Sequence, residues 1–371
     1  LDYFRQAMDI YREVGDRVSI ADDSKNSGIV HYNMKDYTRA GEYFIQAREM
    51  IDSVKDGNSI SIANVKNDIF RWLIASQIKD NKPEKAYESN EAFCIGKIYA
   101  LISDSAPDQR IKSINYEKLK KNIGKKTGLV VFANIIWDNP YVIYIDSDNT
   151  AGFELDKAAA VNALYNVLGK DIESFIGKKK TDIIFNVSQK SRRDYYYIEF
   201  EKIINYYRAL LSKKYISSKE FEIQKTIGRI LYRFLFNKID NYIAGKETLV
   251  IQPDGVLSTI PFETMIMNDG RFLIEKFGVR YTFSQTCEDY FSDRIYGSGR
   301  KGMAIMGGFN SPPQPTAREI ESTRHFEMIA DGIIKRITAN KSVFELFGFF
   351  GVDDLMGLKA GTSEINELKA L

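Results

Sequence analysis

Cysteine is scarce in this chain. Cys94 and Cys287 are the only two in 371 residues, and neither has a near neighbour that completes a metal-binding or redox spacing. That scarcity excludes a disulfide-built scaffold and fits a reducing compartment, so a cytoplasmic protein is expected. No apolar run approaches the ~20 residues a membrane helix needs, so no membrane association is expected. Charge of one sign is missing too. Fifty-two Lys and Arg face fifty Asp and Glu, which leaves a formal net charge of +2. A nucleic-acid binder carries a concentrated basic face, so direct nucleic-acid contact is not expected. The densest basic spot, Lys178-Lys179-Lys180, reads as a solvated loop. The start lacks a signal peptide, and Tyr3, Phe4 and Ala7 already stand in helical register, so the chain reads as a fragment whose true start lies upstream.

What is present suffices for two domains: 44% hydrophobic and 13% aromatic residues, enough to fill ordinary cores. The first signal is repetition. Tyr3-Phe4-Arg5-Gln6-Ala7 returns forty residues on as Tyr43-Phe44-Ile45-Gln46-Ala47, with Ile10 and Met50 at the same offset. Between the copies stand Gly28, Tyr37 and Ala40. A looser third copy runs through Phe70, Trp72 and Leu73 to Ala86, forty-six residues after Ala40. Small residues let antiparallel helices approach closely, and aromatics fill the groove between successive pairs. The order of small and large positions resembles the TPR signature in its longer-helix form, against the alternative of an unrelated helical bundle. In such an array the inward-facing side chains include Lys25, Ile29, Tyr32 and Asn33, where a protein or peptide ligand is expected; solvent exposure or packing on the next helix is the competing reading for each. His31 falls near the packing position and reads as a core histidine.

Helical periodicity gives way between Ser113 and Thr127. Leu129 to Ile136 is dense in Val, Ile and Phe, and Tyr141 to Asp146 alternates, with Asp138-Asn139-Pro140 as a turn between them. The pair reads as a β-hairpin, with a third short strand at Gly152 to Leu155 and a helix from Lys157. Helix returns over about 194–243. There Ser217 and Glu220 form a capping box ahead of Ile223, Ile227, Ile230, Leu231 and Phe234 on one face. Strands are expected at Glu247 to Gln252, Val279 to Phe283 and Met303 to Met306. Strands interleaved with long helices point to an α/β sandwich with a largely parallel sheet.

The segment Leu249 to Glu263 is the most specific stretch: a hydrophobic strand, Pro253-Asp254-Gly255, then Leu257 and Pro261-Phe262-Glu263. It resembles the CHAT family, caspase-like domains attached to TPRs. Asn268 to Glu275, Val279 to Ser284, Gly307 to Asn310 and Leu358 to Ile365 continue the likeness. Lys359-Ala360 departs from the family's Pro. The likeness implies an N-terminal TPR-like helical array over 1–115. It implies a caspase-like α/β sandwich over 116–371, incomplete at its C-terminus, with a variable insertion near 311–356: an α + α/β chain. Asp254-Gly255 also explains itself as a tight turn, Pro261-Phe262 as a buried anchor, and Glu263 as an acceptor for nearby backbone.

In caspase-like peptidases a Cys thiolate attacks the peptide carbonyl and a His assists proton transfer. The resemblance places both downstream of Leu371. Cys94 and Cys287 fall at the wrong positions, and His325 lacks the expected following Gly. No residue of this chain is therefore assigned as catalytic, and no cofactor or metal is expected. The expected parent is a TPR-regulated cysteine endopeptidase acting on protein substrates; the alternative is a TPR adaptor with a pseudo-protease domain. Gly297 to Gly302 spells a dinucleotide fingerprint, but a loop leads into a strand there, the reverse of the required order.

Overall fold

A computed structural model describes residues 2–54, 60–102, 115–135, 140–176, 192–213 and 216–292. Five helices come first: α1 (Asp2–Val14), α2 (Arg17–Asn33), α3 (Tyr37–Asp52), α4 (Ile60–Lys79) and α5 (Pro83–Ile102). Asp16 and Asp36 cap α2 and α3, each side chain accepting from the backbone N–H three residues on. The sharp turns after α2 and α4 are built alike. Lys35 (φ 64°) and Asn81 (φ 58°) both take the left-handed conformation. The bonds Met34 N–H to Val30 C=O and Asp36 N–H to His31 C=O reappear as Asp80 to Ser76 and Lys82 to Gln77. The repeat thus returns in backbone geometry at the forty-six-residue offset from Ala40 to Ala86.

Gly28 shows why a small residue is needed. A Cβ there would sit 2.6 Å from the ring of Phe44, which is fully buried and stacks on Trp72. Gly28→Ala is expected to destabilise the protein by about 1–3 kcal/mol through overpacking. Urea unfolding of Gly28→Ala alone and combined with Phe44→Leu checks this, since the smaller side chain should recover part of the loss.

After α6 (Tyr116–Asn122) come β1 (Thr127–Ala133), β2 (Tyr141–Ile145) and β3 (Thr150–Glu154). Next are α7 (Lys157–Ile176), α8 (Arg192–Leu211), α9 (Ser218–Phe236) and α10 (Asp240–Ile243), then β4 (Thr248–Gln252), β5 (Gly278–Tyr281) and α11 (Gln285–Ser292). The expected capping box is present: Ser217 Oγ accepts from Glu220 N–H while the Glu220 carboxylate accepts from Ser217 N–H. The sheet order is β3-β2-β1-β4-β5. β1 pairs with β2 and β2 with β3 antiparallel, while β1 with β4 and β4 with β5 are parallel. The sheet is therefore mixed rather than largely parallel. The β1–β2 and β2–β3 connections are too short for a crossover, whereas the helices between β3 and β4 allow a parallel return.

Alternate residues of the central strands feed two cores. Val130, Phe132, Val142, Tyr144, Leu249 and Ile251 pack against α7, α8 and α9. Leu129, Val131, Ala133, Tyr141, Ile143, Ile145 and Val250 pack against Ile74, Ala75 and Ile78 of α4, Ala86 and Tyr87 of α5, and Leu119 of α6. The final helices of the N-terminal array are thus one covering layer of the sheet, which is why β1 reads as an unbroken apolar run. A Cβ at Gly152 of β3 would meet Ile78 Cδ1 at 2.4 Å. Lys79 pairs with Glu154 at the same seam. The expected strand at Met303 to Met306, the motifs from Gly307 to Asn310 and Leu358 to Ile365, the insertion near 311–356, His325, Lys178 to Lys180, and the Asp138-Asn139 turn lie outside the described residues.

Candidate functional site

Strands β1, β4 and β5 run in one sense, so their carboxyl ends share an edge. In open α/β sheets that edge is where ligands bind. The chain leaves β4 through Pro253-Asp254-Gly255, with Gly255 at φ 56°, a conformation glycine adopts without strain. Asp254 Oδ2 accepts from Ile135 N–H at 2.9 Å, and the fully buried Lys157 donates to Ile135 C=O at 3.0 Å. Asn134, at φ 61°, donates from its side chain to Arg71 C=O of α4 at 2.9 Å. The end of β1 is therefore held by β4, by α7 and by the helical layer at once.

Pro261 is exposed while Phe262 is fully buried. The Phe262 ring stacks on Phe132 and meets Phe236 and Tyr281 at centroid distances of 5.6, 6.1 and 6.0 Å. Its N–H donates to Tyr281 Oη at 2.7 Å, and that hydroxyl donates in turn to Glu263. Among the described residues Glu263 thus accepts from a phenol, where backbone donors were expected. The partner lies on β5, eighteen residues on. Burial, and then the hydrogen bond to Glu263, push the Tyr281 hydroxyl well above its ordinary value, so it stays protonated and can donate. Gly270, at φ 90°, closes a turn over Met267 to Gly270, with Arg271 paired to Asp269 at 2.7 Å.

A polar seam lies between α5 and the far side of this edge. Tyr87, Glu91 and Cys94 follow one face of α5. Glu91 Oε2 accepts from Ser284 Oγ, Thr286 N–H and Thr286 Oγ1 at 2.7, 2.9 and 2.8 Å. Gln252 Nε2, at the end of β4, reaches Cys94 Sγ at 3.6 Å. Burial pushes the Cys287 thiol up, Ser284 pulls it down, and the Glu91 charge pushes it up again; the net direction is upward, opposite to that of a reactive thiolate. His31, the only histidine among the described residues, is buried in α2, stacked on Tyr43 with its Nδ1 toward Asp36. The Cys287 thiol is thus not set up as an activated nucleophile.

The four residues expected to meet a peptide are placed differently from one another. Lys25 pairs with Asp22 at 2.5 Å, and Ile29 packs against Ala40, Phe44, Trp72 and Leu73. Asn33 is exposed. Tyr32 meets the rings of Tyr37 and Trp72, and its hydroxyl lies 3.2 Å from that of Tyr141 on β2. A surface depression of about 610 Å³ opens elsewhere, among Arg48, Glu49, Asp52, Lys66, Phe70 and Ala92, and none of the four borders it. The sequence reading missed Lys157, Glu91 and Tyr281. An isolated charge on an apolar helix face was the one available signal for the first two.

Residues 225–322 match the sequence profile of the CHAT domain, a caspase-like peptidase family. The match begins within α9 and takes in β4, the Pro253 to Glu263 segment, β5 and α11. No curated protein and no solved structure matches the chain significantly.

Proposed function

We propose that this chain is the front part of a TPR-regulated, caspase-like cysteine endopeptidase, with the catalytic His and Cys outside residues 1–371. The observation that carries the reading is the CHAT match over the segment that ties the carboxyl ends of β1, β4 and β5 together. Helices α1–α5 are the regulatory TPR-type array. Their repeated turns and the Gly28–Phe44 approach support that assignment. The array takes a protein or peptide ligand, and the peptidase cleaves a protein substrate.

In this mechanism the described residues hold the backbone ends from which a nucleophile and base would act. Asp254 and Lys157 fix Ile135, and Phe262 and Tyr281 fix the segment between β4 and β5. Such pre-positioning is what proximity catalysis requires.

The test is labelling of the native protein with a peptidyl electrophile that traps cysteine peptidases, followed by mapping of the modified residue. Modification of one cysteine other than Cys94 and Cys287, abolished by its change to Ala, is expected. Labelling at Cys94 or Cys287 refutes the placement of the dyad. No labelling, together with stable partners on affinity purification, favours the adaptor reading.

A further inference from the structure

The most unusual buried group among the described residues is Glu91. It is fully buried on α5, within the helical layer, yet its partners lie 193 to 195 residues on: Ser284 just before α11 and Thr286 in its first turn. One oxygen takes all three donors. The other, Oε1, has no partner among the described residues, and the same holds for Tyr87 Oη one turn back and Gln252 Oε1 at the end of β4. A buried polar atom left without a hydrogen-bond partner is costly, so the three bonds to Oε2 carry the satisfaction of this carboxylate. The bonds from Ser284 and Thr286 to one carboxylate oxygen tie the helical layer to the start of α11.

The start of α11 depends on this distant carboxylate. Ser284 precedes the helix, its Oγ accepts from Cys287 N–H at 3.3 Å, and Thr286 N–H, which lacks an intrahelical acceptor, goes to Glu91. Thr282 N–H in turn donates to Ile251 C=O at 2.9 Å, so the loop borders β4.

We propose that Glu91 is a latch through which the helical layer holds residues 282–284 and the start of α11 against the carboxyl edge of the sheet, and that a shift of α5 releases it. The proposal rests on the reading of α1–α5 as a regulatory array and names the contact that would carry its signal. A coupling of this kind is reciprocal: a change on either side must be felt on the other.

Hydrogen exchange on the intact chain tests it with two conservative variants. Glu91→Gln is expected to speed exchange of the Thr286 amide at least about tenfold, the size of one charge-assisted hydrogen bond, with β4 amides unchanged. Thr286→Val, made on the sheet side, is expected to speed exchange in α5 around residues 87–94. If Thr286→Val leaves α5 unchanged, or Glu91→Gln leaves Thr286 protected, the latch is refuted and Glu91 is only a local cap. Neither measurement needs cleavage, so a protein that cleaves nothing overturns the peptidase reading and leaves this test intact.

Discussion

Replacing Phe262 by Ala is expected to cost about 3–5 kcal/mol of stability, the range for emptying a fully buried aromatic site. The ring lies at the convergence of β1, α9 and β5, through Phe132, Phe236 and Tyr281. Those neighbours are themselves held by the sheet and by α9, so little collapse into the space is available. The Phe262 N–H is also tied to Tyr281, which keeps the backbone from following the lost side chain. Equilibrium urea unfolding measures the change as a lower midpoint at unchanged slope. Phe262→Leu should lose clearly less, since most of the volume remains. A loss under about 1 kcal/mol for the Ala variant shows that the ring is not the anchor of the segment.

The second large effect is expected at the opposite end of the sheet. Asp146 leaves β2 with its side chain only 1% exposed and gathers Lys246 at 2.9 Å, the N–H groups of Asp148 and Asn149 at 2.7 and 2.6 Å, and Tyr144 Oη at 2.8 Å. It thereby joins the β2–β3 turn to the residues entering β4. Asp146→Ala leaves the Lys246 ammonium, itself 10% exposed, without its counter-ion, and a loss of about 3–5 kcal/mol is expected. The same site sets a pH dependence. Burial alone would raise the carboxyl; Lys246 and the hydrogen bonds from Asn149, Tyr144 and Asp148 outweigh it and hold the group at about 2, below its ordinary 3.8. A carboxyl with a lowered folded pKa contributes stability that is complete above its unfolded value and lost as pH falls toward the folded one. The contribution therefore drains away between about pH 4 and pH 2 and amounts to about 2 kcal/mol. Asp146→Asn should flatten the stability curve over that window, measured by urea titrations at stepped pH. An unchanged slope there assigns acid sensitivity to other carboxylates.

Much of the architecture was readable because its causes are local. The Ser217–Glu220 capping box is written within four residues, and the pattern from Tyr141 to Asp146 declares a strand, although burial of both its faces appears only in the fold. Gly28 and Phe44 announced a close helix approach by residue type and spacing alone. The mixed sense of the sheet was less legible. A short connection forces an antiparallel pair, but the pairing of β1 with β4 is made across the whole of residues 134–247, which include, among the described residues, two other strands and four helices. The candidate site was legible as a motif and opaque as a network. Asp254 finds its partner at Ile135, Glu263 at Tyr281 and Glu91 at Ser284 and Thr286; nothing in the neighbouring sequence names any of these partners. Long-range polar pairs leave no periodic trace, because each needs only one acceptor and one donor brought together by the fold.

The sharing of one sheet face by α4 and α5 bears on how such a protein can change over generations. Leu129, Val131, Ile143 and Val250 are covered by Ile74, Ala75, Ile78, Ala86 and Tyr87, side chains encoded before the apparent junction near residue 115. A recombination event at that junction would inherit a sheet without its lining. A transplanted array would have to bring the matching side chains with it. Side chains from both sides of that junction thus line a single buried surface, and a change on one side calls for a matching change on the other.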